Sequence, residues 1–179
     1  MGTLATDYNQ FAIGAATSPS QLSSPGVGDI QTSKRLLSVV SNNDTTFSSM
    51  YLDGILGNER IKVPHDSVWS IDFKIVGKNV ITPTEYSYYN TLTNSEDITL
   101  QCVSGAITIA DGGFQLAANA PLNIRLDNMS NGAVTDFNLS LVRLAGAPIG
   151  YEYLDVQVQK IDNTDNWKWV IEINSLEIL

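Results

Sequence analysis

The side chains with a capacity for chemistry are few and scattered. His65 is the sole histidine and stands in Val63-Pro64-His65-Asp66-Ser67, between two runs that read as strands. A histidine there could serve as a base or a metal ligand, but a solvent-exposed turn residue is the simpler reading. Cys102 is the sole cysteine, so it closes no internal disulfide, and its place beside Val103 in a strand-like run predicts a buried, inert thiol. Asp162-Asn163-Thr164-Asp165-Asn166 offers oxygen ligands for calcium. However, Trp167 occupies the place where an EF-hand loop needs glycine, and the closing glutamate is missing, so a polar hairpin tip is expected instead. Glu96-Asp97 supplies two carboxylates, yet adjacent strand residues point to opposite faces and would not share a substrate. The Gly-x-Ser-x-Gly elbow, the Gly-x-x-x-x-Gly-Lys loop and the Gly-x-Gly-x-x-Gly fingerprint do not occur. The expectation is a protein that is not an enzyme, with no catalytic residue, no metal and no cofactor.

Recognition is better served than catalysis. The run Tyr86, Tyr88, Tyr89 could stack on sugar rings or anchor a protein partner at small entropic cost. Against that, Tyr86 and Tyr88 share a strand parity that would fill a core, leaving Tyr89 outside. Residues 1–33 mix Ala, Gly, Ser, Pro and Thr with isolated apolar side chains at no sustained period, which predicts an extended N-terminal arm, either mobile or laid on another surface. Tyr8, Phe11 and Ile13 in the arm, with Tyr89, are the expected partner-binding residues.

The elements that must position these groups are strands. A chain of 179 residues fits one domain, here residues 34–179, with the arm attached. Charged residues make up 16% of it and there are 13 glycines; the shortage of long charged side chains removes the usual helix formers and leaves turn and strand residues. A net charge of −9 repels a phosphate backbone, so nucleic acid is not an expected partner. No apolar stretch approaches the roughly 20 residues of a membrane-spanning helix, and the first cationic side chain is Lys34, which leaves no secretory signal; a soluble protein without a membrane partner is expected.

After Lys34 short runs of alternating polarity recur, each ended by Gly, Asn, Asp or Pro. In residues 68–76, Trp69, Ile71, Phe73 and Ile75 fall on one face and Ser70, Asp72 and Lys74 on the other. Leu122, Ile124 and Leu126 alternate in the same way, as do Phe137, Leu139 and Leu141. Leu154, Val156 and Val158, then a polar break, then Trp167, Trp169, Ile171 and Ile173 read as a long terminal hairpin. Weaker runs lie at 35–40, 46–52, 59–63, 86–92, 98–103 and 106–110, with turn signals at Asp53-Gly54, Asp111-Gly112-Gly113 and Asn131-Gly132. No amphipathic helix is found. About ten strands at this spacing close as an all-β, antiparallel two-sheet sandwich, jelly-roll-like, with the arm outside it.

Gly28-Asp29-Ile30-Gln31-Thr32-Ser33, a strand, Tyr51-Leu52-Asp53-Gly54, then Arg60-Ile61-Lys62-Val63-Pro64 and residues 69–76 resemble a domain of bacteriophage virion proteins, tail fibres among them. Trp167-Lys168-Trp169-Val170-Ile171-Glu172-Ile173 looks like that domain's last strand. The resemblance covers about half of the chain, in two pieces. His65-Asp66 departs from the pattern's usual polar turn pair, residues 79–150 match poorly, and the basic run after the long strand shrinks to Lys78. The resemblance implies a β-sandwich virion component, often trimeric, and supplies no catalytic site. With an arm and no fibre shaft, the expected role is a capsid decoration or cement protein on the capsid surface. Its expected partners are the major capsid protein or other virion proteins and further copies of itself, as a homotrimer. The alternative is a tail-fibre or receptor-binding module that recognises a host surface glycan.

Overall fold

A computed structural model of the protein describes residues 10–15, 30–41, 46–52, 59–81, 86–90, 98–103, 106–109, 114–116, 121–125, 137–160 and 166–178. Among these residues every regular element is a strand. In chain order they are β1 (Gln10–Ala15), β2 (Ile30–Ser41), β3 (Ser48–Met50), β4 (Ile61–Pro64), β5 (Ser67–Asn79), β6 (Tyr86–Asn90), β7 (Ile98–Val103), β8 (Ala106–Ile109), β9 (Phe114–Leu116), β10 (Pro121–Arg125), β11 (Phe137–Leu144), β12 (Tyr151–Lys160) and β13 (Trp167–Ile178). They form two antiparallel sheets. The larger runs β1-β2-β13-β5-β7-β8-β9, with β6 sharing an edge of β5 with β7; the smaller runs β10-β11-β12-β3, with β4 sharing an edge of β12 with β3.

The two sheets bury their apolar rows against each other. The larger contributes Leu37, Val39, Trp69, Ile71, Phe73, Ile75, Leu100, Cys102, Ile107, Trp167, Trp169, Ile171 and Ile173, and the smaller Met50, Ile61, Val63, Phe137, Leu139, Leu141, Leu154, Val156 and Val158. This is the expected sandwich: a period of two puts one row of each strand in the shared core, and burial of each large apolar side chain contributes roughly 1.5–3 kcal/mol. A residual void of about 20 Å³ between Phe73, Ile171, Ile173, Leu139 and Val156 is lined solely by apolar side chains of both sheets, so it is dry.

Three departures from the sequence reading have physical causes. The terminal pair is not a hairpin: β12 bonds to β11, β3 and β4 in the smaller sheet, while β13 bonds to β2 and β5 in the larger. Alternation reports that one face of each strand is buried, and it is silent on whether two such strands meet edge to edge or face to face. The strand expected at 35–40 starts earlier, at Ile30, within the segment read as arm, and Gln10–Ala15 of that segment pairs with it as an edge strand. β9 lies where no run was singled out, and the three Gly-containing turn signals fall outside the described residues.

The passage from one sheet to the other is tight. β4 belongs to the smaller sheet and β5 to the larger, and His65-Asp66 alone joins them. Asp66 takes the left-handed conformation (φ 62°), which aspartate tolerates better than most residues. The turn is pinned by Ser67 Oγ donating to Pro64 O at 2.6 Å and by His65 N–H donating to Gly150 O at 2.9 Å. A second link is the bridge in which Ser38 of β2 and Tyr51, just beyond β3, exchange backbone hydrogen bonds of 2.9 and 3.1 Å.

Two features hold β13 in register. Trp169 stands directly opposite Gly77 of β5, and its indole occupies the space that a side chain at Gly77 would need. The same ring stacks on Trp167 (centroids 5.4 Å apart), packs against Phe137 (5.0 Å) and donates through Nε1 to Ser41 Oγ at 3.3 Å. At the other end of the strand the inward row turns polar: Gln31, Ser33 and Arg35 of β2 meet Ser175 and Glu177 of β13, all buried. Glu177 accepts from Arg35 NH1 and Ser175 Oγ, each at 2.5 Å, and from Gln31 Nε2 at 2.6 Å. Arg35 also lies over the Trp69 ring, 4.4 Å from its centroid.

Gly77→Ala is therefore expected to lower stability by about 1–3 kcal/mol or more through overpacking against Trp169, read as a lower urea midpoint at unchanged m-value. Glu177→Leu or Arg35→Met should each cost about 3–5 kcal/mol by stranding a buried charge, and the double change Arg35→Met/Glu177→Leu should cost less than the two singles combined. Urea denaturation of the four proteins checks the cycle.

Candidate functional site

The ionisable groups at the turn end of the sandwich hold one another. His65 Nε2 lies 3.2 Å from Glu152 Oε1, and Arg143 NH1 donates to Glu152 Oε2 at 3.1 Å. His65 is thus half-buried and tied to the β11–β12 hairpin, a correction to the exposed turn residue expected from its neighbours in sequence. No signal within Val63-Pro64-His65-Asp66-Ser67 could have revealed a partner 87 positions away. Cys102 is buried, as expected. Burial first, then the nearby charges of Glu152 and Asp66, push its thiol up to about 11 against a lesser lowering by Arg143. The thiol stays protonated at neutral pH and is a poor nucleophile. On the outside of the smaller sheet Asp155 pairs with Arg60 and accepts from Gln157 Nε2 at 2.7 Å and Ser49 Oγ at 2.8 Å, yet its burial still raises it above the usual carboxylate range. These groups serve each other, and among the described residues no His, Cys, Asp and Glu cluster of metal-binding geometry is found.

The outer face of the larger sheet presents a different surface. Its strands β2, β13 and β5 are long and in register, so side chains cross the sheet in rows about 4.8 Å apart from strand to strand. One row is Ser38–Val170–Val76, and the next towards the end is Val40–Lys168–Lys78. Val80 and Ile81 continue the patch past β5, and Val40, Val76, Val80 and Ile81 are all more than half exposed. Farther along come Leu36–Glu172–Lys74, then Lys34–Asn174–Asp72, Thr32–Leu176–Ser70 and Ile30–Ile178–Val68. In the middle, charges are matched: Glu172 takes Lys34 at 2.6 Å and Lys74 at 3.8 Å. The hydrogen bond from Lys34 chiefly, helped by Asn174 and Lys74, holds the Glu172 carboxyl below its usual range.

Two shallow grooves cut this face. One, of about 410 Å³, is lined by Phe11, Thr32, Lys34, Ser70, Asp72, Asn174 and Leu176. The other, of about 350 Å³, is lined by Val76, Lys78, Asn79, Val80, Lys168 and Val170. In the second, Lys78 and Lys168 are directly opposed across the β5–β13 pair. Neither forms an ion pair among the described residues, and like charges so opposed repel one another.

Of the expected partner-binding residues, Phe11 is 65% exposed and forms a wall of the first groove. Ile13 sits in β1 opposite Thr32, Tyr89 sits in β6, and Tyr8 lies outside the described residues, as do Glu96-Asp97 and residues 162–165. The β6 register pairs Tyr89 with Ile75, Tyr88 with Val76 and Tyr86 with Lys78. The exposed Val76, Val80, Ile81 and Val170 patch escaped sequence reasoning because exposed and buried valines look alike.

No family model and no curated protein matches this chain. A solved structure that aligns with it is the tailspike protein gp49 of the Acinetobacter baumannii bacteriophage Fri1, described as a capsular polysaccharide depolymerase. The alignment has 12% identity and a TM-score of 0.40, and covers 96% of this chain and 20% of the tailspike. A likeness of that degree carries no functional argument.

Because the Glu172 carboxyl is depressed on folding, its contribution is present above the unfolded carboxylate range and lost as pH falls through its folded value. Glu172→Gln should remove that acid-side loss, a difference of about 0.2–1 kcal/mol for so exposed a cluster, seen by comparing urea midpoints at pH 7 and pH 3. Cys102 should resist a thiol reagent at pH 8 in the folded protein and react within seconds once denatured. Rapid labelling of the native form would contradict its burial.

Proposed function

We propose that this chain is a structural interaction domain of a bacteriophage particle, docked through the outer face of its larger sheet, and within that class a decoration protein of the assembled head. The observation that carries the docking role is the exposed apolar end of that face, Val40, Val76, Val80, Ile81 and Val170. A sheet face turned to water ordinarily carries polar side chains, and a contiguous apolar patch marks a place where another surface fits. The phage assignment rests on the strand-and-turn pattern: the Gly28–Ser33 start runs into β2, Arg60–Pro64 into β4, and residues 69–76 lie within β5. The partners this implies are the major capsid protein and further copies of the chain as a trimer, on the capsid surface. No reaction belongs to the role, and sustained turnover of a polysaccharide by the pure protein would overturn that part.

A second reading has its own support. The groove at Phe11 sets an exposed aromatic ring beside the hydroxyls of Thr32 and Ser70, the amide of Asn174 and the carboxylate of Asp72, a mixture able to stack on and hydrogen-bond a sugar. It would suit a receptor-binding module of the tail.

The wild-type protein should co-sediment with expanded heads, and Val170→Asp should weaken that binding at least tenfold while leaving the far-ultraviolet dichroism unchanged. Association with tails alone would refute decoration. Binding on a glycan array that disappears with Phe11→Ala, a change at an exposed position, would favour the second reading.

A further inference from the structure

We infer that the groove between Lys78 and Lys168 receives an acidic segment of a partner protein, with an apolar side chain seated on the valines and carboxylates on the two ammonium groups. The inference rests on reading this face as the docking surface and names the chemistry of what docks there.

Three observations converge on it. The floor and rim of the groove are Val76, Val170 and Val80, exposed at 53%, 38% and 54%, and Ile81 and Val40 extend the apolar area at its margins. Lys78 and Lys168 face each other across adjacent strands, an arrangement that costs stability in the isolated sheet unless an anion lies between them. Lysine and arginine total 10 against 19 acidic residues in the whole chain, so a pair of lysines with no carboxylate partner among the described residues is against the trend of the molecule. It contrasts with the middle of the same face, where Lys74 and Lys34 are both matched by Glu172.

The same details select the occupant. A second copy of the chain placed face to face about a two-fold axis would bring lysine against lysine. A neutral sugar would leave the ammonium pair uncompensated, and a charged polysaccharide would find valine where stacking needs an aromatic ring. A peptide that alternates acidic and apolar side chains satisfies both parts of the groove, since residues two apart in an extended segment lie on one side.

The test is a titration of the ¹⁵N-labelled protein with the peptide Ac-Leu-Glu-Val-Asp-Leu-Glu-NH₂, its Gln/Asn analogue and a hyaluronate hexasaccharide, followed by amide shifts. The acidic peptide should shift the amides of Val76, Lys78, Val80, Lys168 and Val170. Its affinity should exceed that of the Gln/Asn analogue at least tenfold and fall with added salt. It should be lost in the exposed double variant Lys78→Glu/Lys168→Glu and kept in Lys78→Arg/Lys168→Arg. No shift at these amides, equal binding of the uncharged analogue, or preferential binding of the hexasaccharide would each overturn the inference. Wild-type co-sedimentation with heads is read separately: heads bound without peptide binding would sink this inference alone, whereas peptide binding without heads would sink the decoration role alone.

Discussion

The inward row of the last strand, Trp167, Trp169, Ile171 and Ile173, is the surface against which the rest of the structure is assembled. β13 lies between β2 and β5, bonded to both along almost its whole length, and its inner face meets Phe137 from the smaller sheet. Extended strands bury a row only if both neighbours hold it in register and a second layer covers it. Each of these conditions is met here by a different kind of contact. Gly77 gives up its side chain so that the Trp169 indole can lie flat, and the two long strands then stay aligned over twelve pairs.

At the opposite end the same strand is fixed by charge rather than by shape. The Arg35–Glu177 pair is fully buried and wrapped by Gln31, Ser175 and Trp69. Such a pair is a poor source of net stability because removing two ions from water costs nearly what their attraction returns. What it does supply is discrimination: sliding β13 by one residue would turn Glu177 to water and leave Arg35 alone in the core. Trp169 at one end and Glu177 at the other therefore exclude shifted registers for independent reasons.

That alignment has a consequence on the other side of the sheet. Once the inner row of β13 is set, Lys168, Val170, Glu172, Asn174 and Leu176 must form the outer row, opposite Lys78, Val76, Lys74, Asp72 and Ser70. The neutralised cluster around Glu172, the polar groove beside Phe11 and the lysine-flanked valine groove are products of one register. Elsewhere among the described residues, ionisable groups join elements, as Glu152 joins His65 to Arg143.

Much of this was legible in the residue order. The alternation of Trp69, Ile71, Phe73 and Ile75, or of Trp167, Trp169, Ile171 and Ile173, specifies which side chains are buried, because a strand has only two faces and water rejects one of them. The all-β class and the inert cysteine follow from the same local physics. What local pattern could not decide is who pairs with whom. Leu154–Val158 and Trp167–Ile173 have the periodicity of a hairpin and instead face each other across the core, and His65 finds its carboxylate on a hairpin far along the chain. The exposed Val76, Val170 and the opposed Lys78 and Lys168 became a surface only when β5 and β13 were brought side by side. Burial is a property of a residue and its near neighbours, and a sequence carries it; adjacency between distant strands is settled by packing of the whole, and only the tertiary structure decides it.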